Sequence, residues 1–429
     1  MLVGGFIGHN PPLLALGLEV VRTVDALNIT MKAAVKNKSF TGAIINYSLI
    51  CKRVDVTLTL NSKAELQIDL DALAANWRTL ADLASPSVCS AVVKANAYGL
   101  GDFQVVKRLY QEGCRHFFVA NVDEAIRLSA SFFEEISLYI LGGLGDLEIS
   151  ECRQRKYIPV LSTKDSVLAW VTANRTDNVN LPSVVQVETG MNRLGLSKIE
   201  TQWLFSEVSA ATLNPQMLFS HLACADDVEH PLNSQQLLCF KEFLVSAKQW
   251  SPKLSACLAN SAGILLGSDY HFDFVRPGIA IYGGNPQIKL ANKFKPVVHL
   301  RLPVAQIKCL EEDGFVGYGA TAKVKSGATL AVVHGGYADG LLRAQSNISE
   351  GEMFGRRVPM VGRVSMDLTV FDISSVVNRL AETNEPLFID VLNSAITIDE
   401  VAANAQTIPY EILTSLGGRF SRRYLSRCD

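Results

Sequence analysis

The apolar run from Val88 to Val93 ends in an amine, Lys94, followed by Ala95-Asn96-Ala97-Tyr98-Gly99-Leu100-Gly101. Small and β-branched residues in such a run read as a buried strand. Partial desolvation at the strand's end lowers a lysine's pKa and leaves a nucleophile suited to forming a Schiff base. In isolation, a strand-end lysine more often snorkels to solvent. Company decides between the two. Arg193, His221, Asn260 and Arg276 also lie just after predicted strands. An arginine does not give up its proton at ordinary pH. A lone histidine in this place is more often structural, and Ser261 beside Asn260 reads equally well as a helix cap.

Between residues 71 and about 285 short apolar runs alternate with amphipathic segments. Asp71 is expected to cap a helix carrying Leu73, Leu80 and Leu83. Strand-like runs follow at 88–93, 115–120, 136–141, 157–161, 183–187, 215–220, 254–258 and, less clearly, 272–275. Helical segments such as 122–131, 163–173, 198–211 and 233–248 lie between them. This is the α/β rhythm of a (β/α)₈ TIM-type barrel; an open doubly wound sheet is the runner-up. The barrel is preferred because it gathers the strand ends, and with them the polar residues, on one rim. From about residue 297 the rhythm changes to strands with glycine-containing turns, as in 298–302, 327–333 and 367–371. A mainly β C-terminal domain is expected there.

Composition narrows the function. A chain of 429 residues with 48% hydrophobic residues supports two packed domains. A formal charge of −2 offers no basic stripe for nucleic acid. Nine scattered cysteines without a C-x-x-C pair read as reduced thiols, which points to a cytoplasmic protein. The sequence holds no metal-ligand motif and no apolar run long enough for a bilayer. Residues 1–63 read as an N-terminal extension of unknown role. A second start at Met31, with an apolar stretch from Phe40 to Cys51, faintly resembles an export signal. Asn46 interrupts that stretch, and an upstream translated segment without a role in the fold is the preferred reading.

Val93-Lys94-Ala95-Asn96-Ala97-Tyr98-Gly99-Leu100-Gly101 resembles the cofactor-lysine motif of alanine racemases, the fold-type III pyridoxal-phosphate enzymes. Further segments resemble that family in its own order. They are Glu188-Thr189-Gly190-Met191-Asn192-Arg193-Leu194-Gly195, Ser220-His221-Leu222, Ala259-Asn260-Ser261-Ala262 and Arg276-Pro277-Gly278-Ile279-Ala280-Ile281-Tyr282-Gly283. Val316-Gly317-Tyr318-Gly319-Ala320-Thr321, Gly336-Tyr337-Ala338-Asp339-Gly340 and Gly362-Arg363-Val364-Ser365-Met366-Asp367 complete the set. The likeness covers roughly residues 65 to 425. It implies a cofactor barrel over 72–296 and a β-rich domain over 297–429, with the strand at 64–71 packed on the latter.

The resemblance also implies roles. Lys94 would carry pyridoxal 5'-phosphate and handle the Cα proton of D-alanine. Tyr98, Asn260, Ser261, Gly278, Ile279 and Tyr337 would contact the cofactor, the phosphate above all. Arg276 would face the pyridine nitrogen and leave it largely unprotonated, which weakens the electron sink and disfavours transamination. His221 would lie against the ring. Arg193 would contact the cofactor's phenolate oxygen and the substrate carboxylate, with Met366 and Asp367 lining the substrate end. Tyr318 would be the second base, delivered from a partner subunit, so that a homodimer shares its sites. A phenol ordinarily titrates near ~10 and needs a neighbour such as the His221–Arg276 pair to act as a base.

Three departures from the family pattern stand out. Leu100 replaces a frequent histidine, and Gln186 stands where some members carry a carbamylated lysine, leaving Gln186 to orient Arg193 by neutral hydrogen bonding. A tyrosine that some members place on the phosphate is missing from Thr414-Ser415-Leu416-Gly417-Gly418-Arg419, so Leu416 is expected there with one contact fewer. The expected activity is interconversion of L- and D-alanine, supplying D-alanine for peptidoglycan. The rivals are a broad-specificity amino-acid racemase, a fold-related decarboxylase and a non-catalytic carrier of the cofactor.

Overall fold

The computed structural model describes residues 63–426 apart from 131–134, 143, 177–178, 288 and 384. The expectations for residues 1–62 lie outside the described residues. The chain enters on strand β1 (Glu65–Asp69) and passes directly into helix α1 (Leu70–Ala84). The cap is Asp69, not Asp71: Asp69 has extended backbone and its carboxylate accepts the Ala72 N–H at 2.8 Å. Asp71 already lies in the helix's first turn, where it pairs with Arg108 at 3.2 Å.

The first barrel stave is split into β2 (Val88–Cys89) and β3 (Ala91–Val92). The remaining staves are β4 (His116–Val119), β5 (Ser137–Ile140), β6 (Ile158–Leu161), β7 (Ser183–Gln186), β8 (Pro215–Phe219), β9 (Ser255–Asn260) and β10 (Phe274–Arg276). All pair in parallel, in the order β2-β10-β9-β8-β7-β6-β5-β4-β3. β2 bonds the last stave and β3 bonds the second, so one stretch of chain joins both ends of the sheet. The barrel is closed, and the open doubly wound alternative fails. Ser90 absorbs the split: its N–H and its hydroxyl both donate to the Val275 carbonyl, at 3.0 and 2.7 Å.

Helices α2 (Asp102–Gln111), α3 (Val122–Ser129), α4 (Asp146–Arg155), α5 (Lys164–Thr176), α6 (Lys198–Glu207), α7 (Ala210–Leu213), α8 (Pro231–Trp250) and α9 (Ser261–Leu265) lie between the staves. The helix expected over 198–211 breaks at Val208, whose extended backbone ends α6. Aromatic rings fill the barrel interior; Phe118 stacks on Tyr139 at 4.4 Å and faces Phe219 at 6.4 Å.

The second domain is built on the long strand β11 (Val298–Cys309). β1 pairs antiparallel with β11 and parallel with the last strand, Ser421–Leu425, so the chain's first described strand belongs to this sheet. A hairpin of β12 (Gly314–Val316) and β13 (Ala322–Val324) carries a turn at Tyr318–Ala320. Two short helices, α10 (Ile398–Asn404) and α11 (Pro409–Ser415), interrupt the β pattern. No helix among the described residues is long and apolar enough to cross a membrane.

One buried side chain ties the barrel to the segment leading into the second domain. The Asn76 amide donates to the carbonyls of Ile281 (3.2 Å) and Lys295 (2.9 Å), and its oxygen accepts the Lys295 N–H at 2.8 Å. Replacing Asn76 with Leu leaves these backbone groups unsatisfied, and each such loss costs about 1–3 kcal/mol. Urea unfolding of Asn76→Leu is expected to show a loss of at least ~2 kcal/mol.

Candidate active site

The mouth at the strands' C-terminal ends gathers the amine and the two guanidinium groups. Lys94 follows β3 and opens a turn of the wrong hand. Ala95, Asn96, Ala97 and Tyr98 have φ of 53°, 55°, 51° and 56°. Four consecutive left-handed L-residues cost roughly 1–2 kcal/mol each. Tight local bonds hold the run: Ala97 N–H to Val93 O at 2.9 Å, Gly99 N–H to Ala95 O at 2.8 Å and Gly101 N–H to Asn96 O at 2.9 Å. The Asn96 side chain accepts the Asp102 N–H at 3.0 Å, tying the run to α2. The turn sends Lys94 to the barrel mouth and Tyr98 into the wall, where its ring stacks on Tyr282 at 4.5 Å.

Arg276 is buried at the top of β10, and among the described residues it has no carboxylate partner. Its Nη2 donates to the Ser220 carbonyl at 2.7 Å, to the Leu258 carbonyl at 3.3 Å and to His221 Nδ1 at 3.4 Å. Its Nε meets Cys257 Sγ at 3.2 Å, and the guanidinium sits 4.0 Å from the Phe219 ring centroid. Carbonyls, a thiol and a π face thus take the place of an anion. A guanidinium has no lone pair to offer, so His221 Nδ1 is the acceptor and the ring proton is on Nε2.

This cationic environment sets the protonation states. Desolvation lowers the Lys94 pKa, Arg193 and Arg276 lower it further, and Glu124 opposes them. His221 falls well below the usual imidazole range through burial, then through Arg276, Arg193 and Lys94. Imidazole and amine are both pushed toward their neutral forms.

On the stave next to that of Lys94, where the Val92 N–H donates to the Pro277 carbonyl at 2.9 Å, the chain after β10 forms a cradle. The Ser261 hydroxyl accepts the N–H of Gly278 at 2.8 Å and of Ala280 at 3.4 Å. Ile279 is fully buried, and its amide N–H makes no hydrogen bond to any described residue. Gly278 lacks a Cβ of necessity, because one would collide with the Tyr98 hydroxyl. An unsatisfied buried N–H beside a serine and a buried phenol fits an oxyanion such as phosphate. Asn260 stands one step back: its side chain caps α9 by accepting the Gly263 N–H at 2.8 Å.

One expectation changes here. Gln186 does not reach for the Arg193 side chain; its Nε2 donates to the Leu194 carbonyl at 2.9 Å and shapes the turn instead. Thr414–Arg419 holds no tyrosine, but a second phenol from outside that stretch stands near Tyr98. Tyr410, in the first turn of α11, lies beside Tyr98 with ring centroids 5.9 Å apart. Burial and Asp226 push the Tyr410 pKa up to about 12. Leu416, by contrast, is packed in the core at the helix's end.

The β-domain candidates form a separate group. Tyr337 and Met366 are joined through backbone bonds: Tyr337 N–H to Ser365 O and Ala338 N–H to Met366 O, both 3.0 Å. Asp367 accepts from Arg419 at 2.8 Å, and Arg419 also pairs with Asp339 at 2.6 Å. Tyr318 is 72% exposed and Met366 54% exposed. Among the described residues no hydrogen bond, ion pair or ring contact joins Tyr318 to the barrel mouth.

Comparison with known proteins gives this arrangement a family. The model of the alanine racemase N-terminal domain matches residues 68–286, and that of the C-terminal domain matches residues 297–424. The chain belongs to the alanine racemase family. Alanine racemase of Rhodospirillum rubrum is 42% identical over 363 residues, covering 84% of this chain and 96% of that protein. A catabolic alanine racemase of Agrobacterium fabrum is 38% identical over 365 residues, covering 85% and 92%. The crystal structure of Bartonella henselae alanine racemase with covalently bound pyridoxal phosphate superposes with a TM-score of 0.80. It is 37% identical, with 85% of this chain and all of that one covered.

Within the family's arginine-bearing loop, one residue escaped the sequence reading as a structural element. Glu188 accepts the N–H groups of Gly190 (2.5 Å), Met191 (2.6 Å) and Arg193 (3.3 Å), folding the loop that presents Arg193. Burial alone would raise its pKa, but the amides of Gly190, Asn192, Met191 and Arg193 outweigh it and hold the carboxyl below its usual value. Its stabilising contribution is therefore present above the unfolded value of ~4.3 and lost as pH falls through the lower folded value. Glu188→Gln is expected to cost about 1–3 kcal/mol at neutral pH. The gap to the parent protein in urea titrations should close on acidification below pH ~4.

Proposed function

We propose that this chain is a pyridoxal-phosphate-dependent alanine racemase working as a homodimer with shared active sites. The observation that carries this reading is one rim holding an amine pushed toward neutrality, a guanidinium without a carboxylate and an unsatisfied phosphate cradle. The residues present fit the cofactor. Tyr98, Ser261, Gly278, Ile279 and Tyr410 would take its phosphate, Arg276 its ring nitrogen, Lys94 its aldehyde carbon and Arg193 its phenolate oxygen. When bound, the cofactor acidifies the Cα–H of an amino acid by drawing off electron density.

The chain's own groups do the rest. Lys94, its pKa lowered by burial and the two arginines, takes or returns the Cα proton on one face of the substrate. Arg276 holds its guanidinium against the ring nitrogen's position without surrendering a proton there. Arg193 attracts the substrate carboxylate, and the backbone amide of Met366, beside Asp367, would meet the same group from the β domain. The second face needs a second acid–base group. Tyr318, exposed at a hairpin tip, supplies it from the partner subunit. His221, with Nδ1 taken up by Arg276, keeps an Nε2–H to donate to that phenol.

Localisation in the cytoplasm and supply of D-alanine to peptidoglycan belong to the same proposal. The Agrobacterium relative is named for breakdown instead. Deletion in a peptidoglycan-building host tests the role: a requirement for added D-alanine supports synthesis, and unchanged growth without it counts against.

Lys94→Ala is expected to abolish racemisation and to prevent borohydride from fixing the cofactor's mass on the residue 94 peptide. Tyr318→Phe should slow solvent-deuterium exchange into L-alanine ~10²–10⁴-fold, and exchange into D-alanine much less. Mixing these two inactive proteins tests the shared site. Random reassortment leaves about a quarter of sites with both native groups, so activity should return to roughly that fraction. No recovery, with exchange of subunits shown, would refute it. A panel of amino acids separates a strict enzyme from a broad-specificity racemase, and carbon dioxide release would reveal a decarboxylase.

A further inference from the structure

The left-handed run after Lys94 is held by more than its own backbone. The N–H of Ala95, the first residue of that run, points away from it and donates to Glu124 Oε1 at 2.8 Å. The other oxygen, Oε2, accepts the Ala120 N–H at 2.8 Å, just beyond the end of β4. Glu124 itself is fixed: it sits in the first turn of α3, and its N–H donates to the Asn121 side chain at 2.9 Å. Both carboxylate oxygens are thus committed to amides, one on each of two adjacent staves. The carboxylate also occupies a helix N-terminal turn, where negative charge is favoured.

We propose that Glu124 is the positioning residue for Lys94: its carboxylate clamps the strained run that aims the amine and counterbalances the two arginines around it. The inference rests on Lys94 being the reactive amine of the reading above. The charged and titratable groups facing Lys94 are Arg193 and Arg276, which disfavour its protonated form, Glu124, which favours it, and His221, which is held neutral. Losing the acid should therefore have two separable effects. Neutralising the charge lets the arginines lower the amine's titration further. Shortening the side chain keeps the charge but releases an amide.

The test uses the full-length protein freed of cofactor. Arylation by trinitrobenzenesulfonate is followed against pH at the Lys94 peptide, and amide exchange is followed over residues 95–98. Glu124→Gln is expected to move the arylation midpoint down by about one unit and to speed exchange at least ~10-fold. Glu124→Asp is expected to keep the parent midpoint yet speed exchange to a similar degree. Failure of either readout in Glu124→Gln overturns the proposal. If that variant does not fold, Glu124→Asp decides on exchange alone, unchanged exchange refuting the clamp. Borohydride mapping of the reloaded parent protein keeps the two ideas apart: cofactor on another lysine refutes the role of Lys94, whatever the exchange data say.

Discussion

A buried guanidinium that has no carboxylate partner among the described residues organises the chemistry of this protein. Arg276 is only 3% exposed, and burying its charge is costly unless every donor finds a partner. The staves supply those partners as carbonyls of Ser220 and Leu258, the Cys257 sulfur and the Phe219 ring. An aspartate there would cancel the charge. Without one, the field of Arg276 reaches its neighbours and helps push Lys94 and His221 toward their neutral forms. A neutral amine and a neutral imidazole are the forms able to accept or relay a proton. The surplus positive charge of the two arginines matches a guest that is itself anionic.

Geometry at the same rim depends on backbone states that only a closed barrel can enforce. The left-handed run from Ala95 to Tyr98 is unfavourable in isolation, and it survives because several anchors over-determine it. Val93 and Asn96 bind it from within, Asp102 from α2 and Glu124 from α3. Its product is Lys94 placed at the barrel mouth and Tyr98 packed into the wall on Tyr282. On the neighbouring stave Gly278 yields room for the Tyr98 hydroxyl, and among the described residues the Ile279 amide has no partner. Strain in the run and an unsatisfied donor beside it are both costs to the unliganded chain. An oxyanion bridging them would return part of that energy as binding.

The staves were legible in the sequence because eight short apolar runs must be buried on both faces, and each recurs within a residue or two of its expected place. What escaped reading depended on tertiary distance. Asp69 and Asp71 are equally good caps by type, and only the extended backbone at the end of β1 selects the first. Glu124 looks like an ordinary first-turn acid of a surface helix until Ala95, 29 residues away in sequence, is brought against it. Gln186 was read as a side-chain partner of Arg193, whereas the loop's tight turn offers it a carbonyl first. Tyr410 reaches Tyr98 only through the packing of α11 on the barrel, which spacing along a short helix does not reveal. The left-handed run has no propensity signal at all, since alanine and asparagine there are common helix and loop residues.

The division of polar residues between two surfaces carries the last inference about assembly. The barrel supplies an amine, an imidazole and two arginines at an open mouth. The β domain displays Tyr318 and Met366 on its own exposed surface. A phenol so exposed, on a hairpin that is tied only to its own domain, gains nothing for the isolated chain. Racemisation is served most directly by acid–base groups on opposite faces of one carbon. Covering one mouth with a second copy's hairpin would provide the opposite face and exclude water in the same step. It would also bury apolar surface that is otherwise left in solvent, so catalysis and association would be stabilised by the same contact.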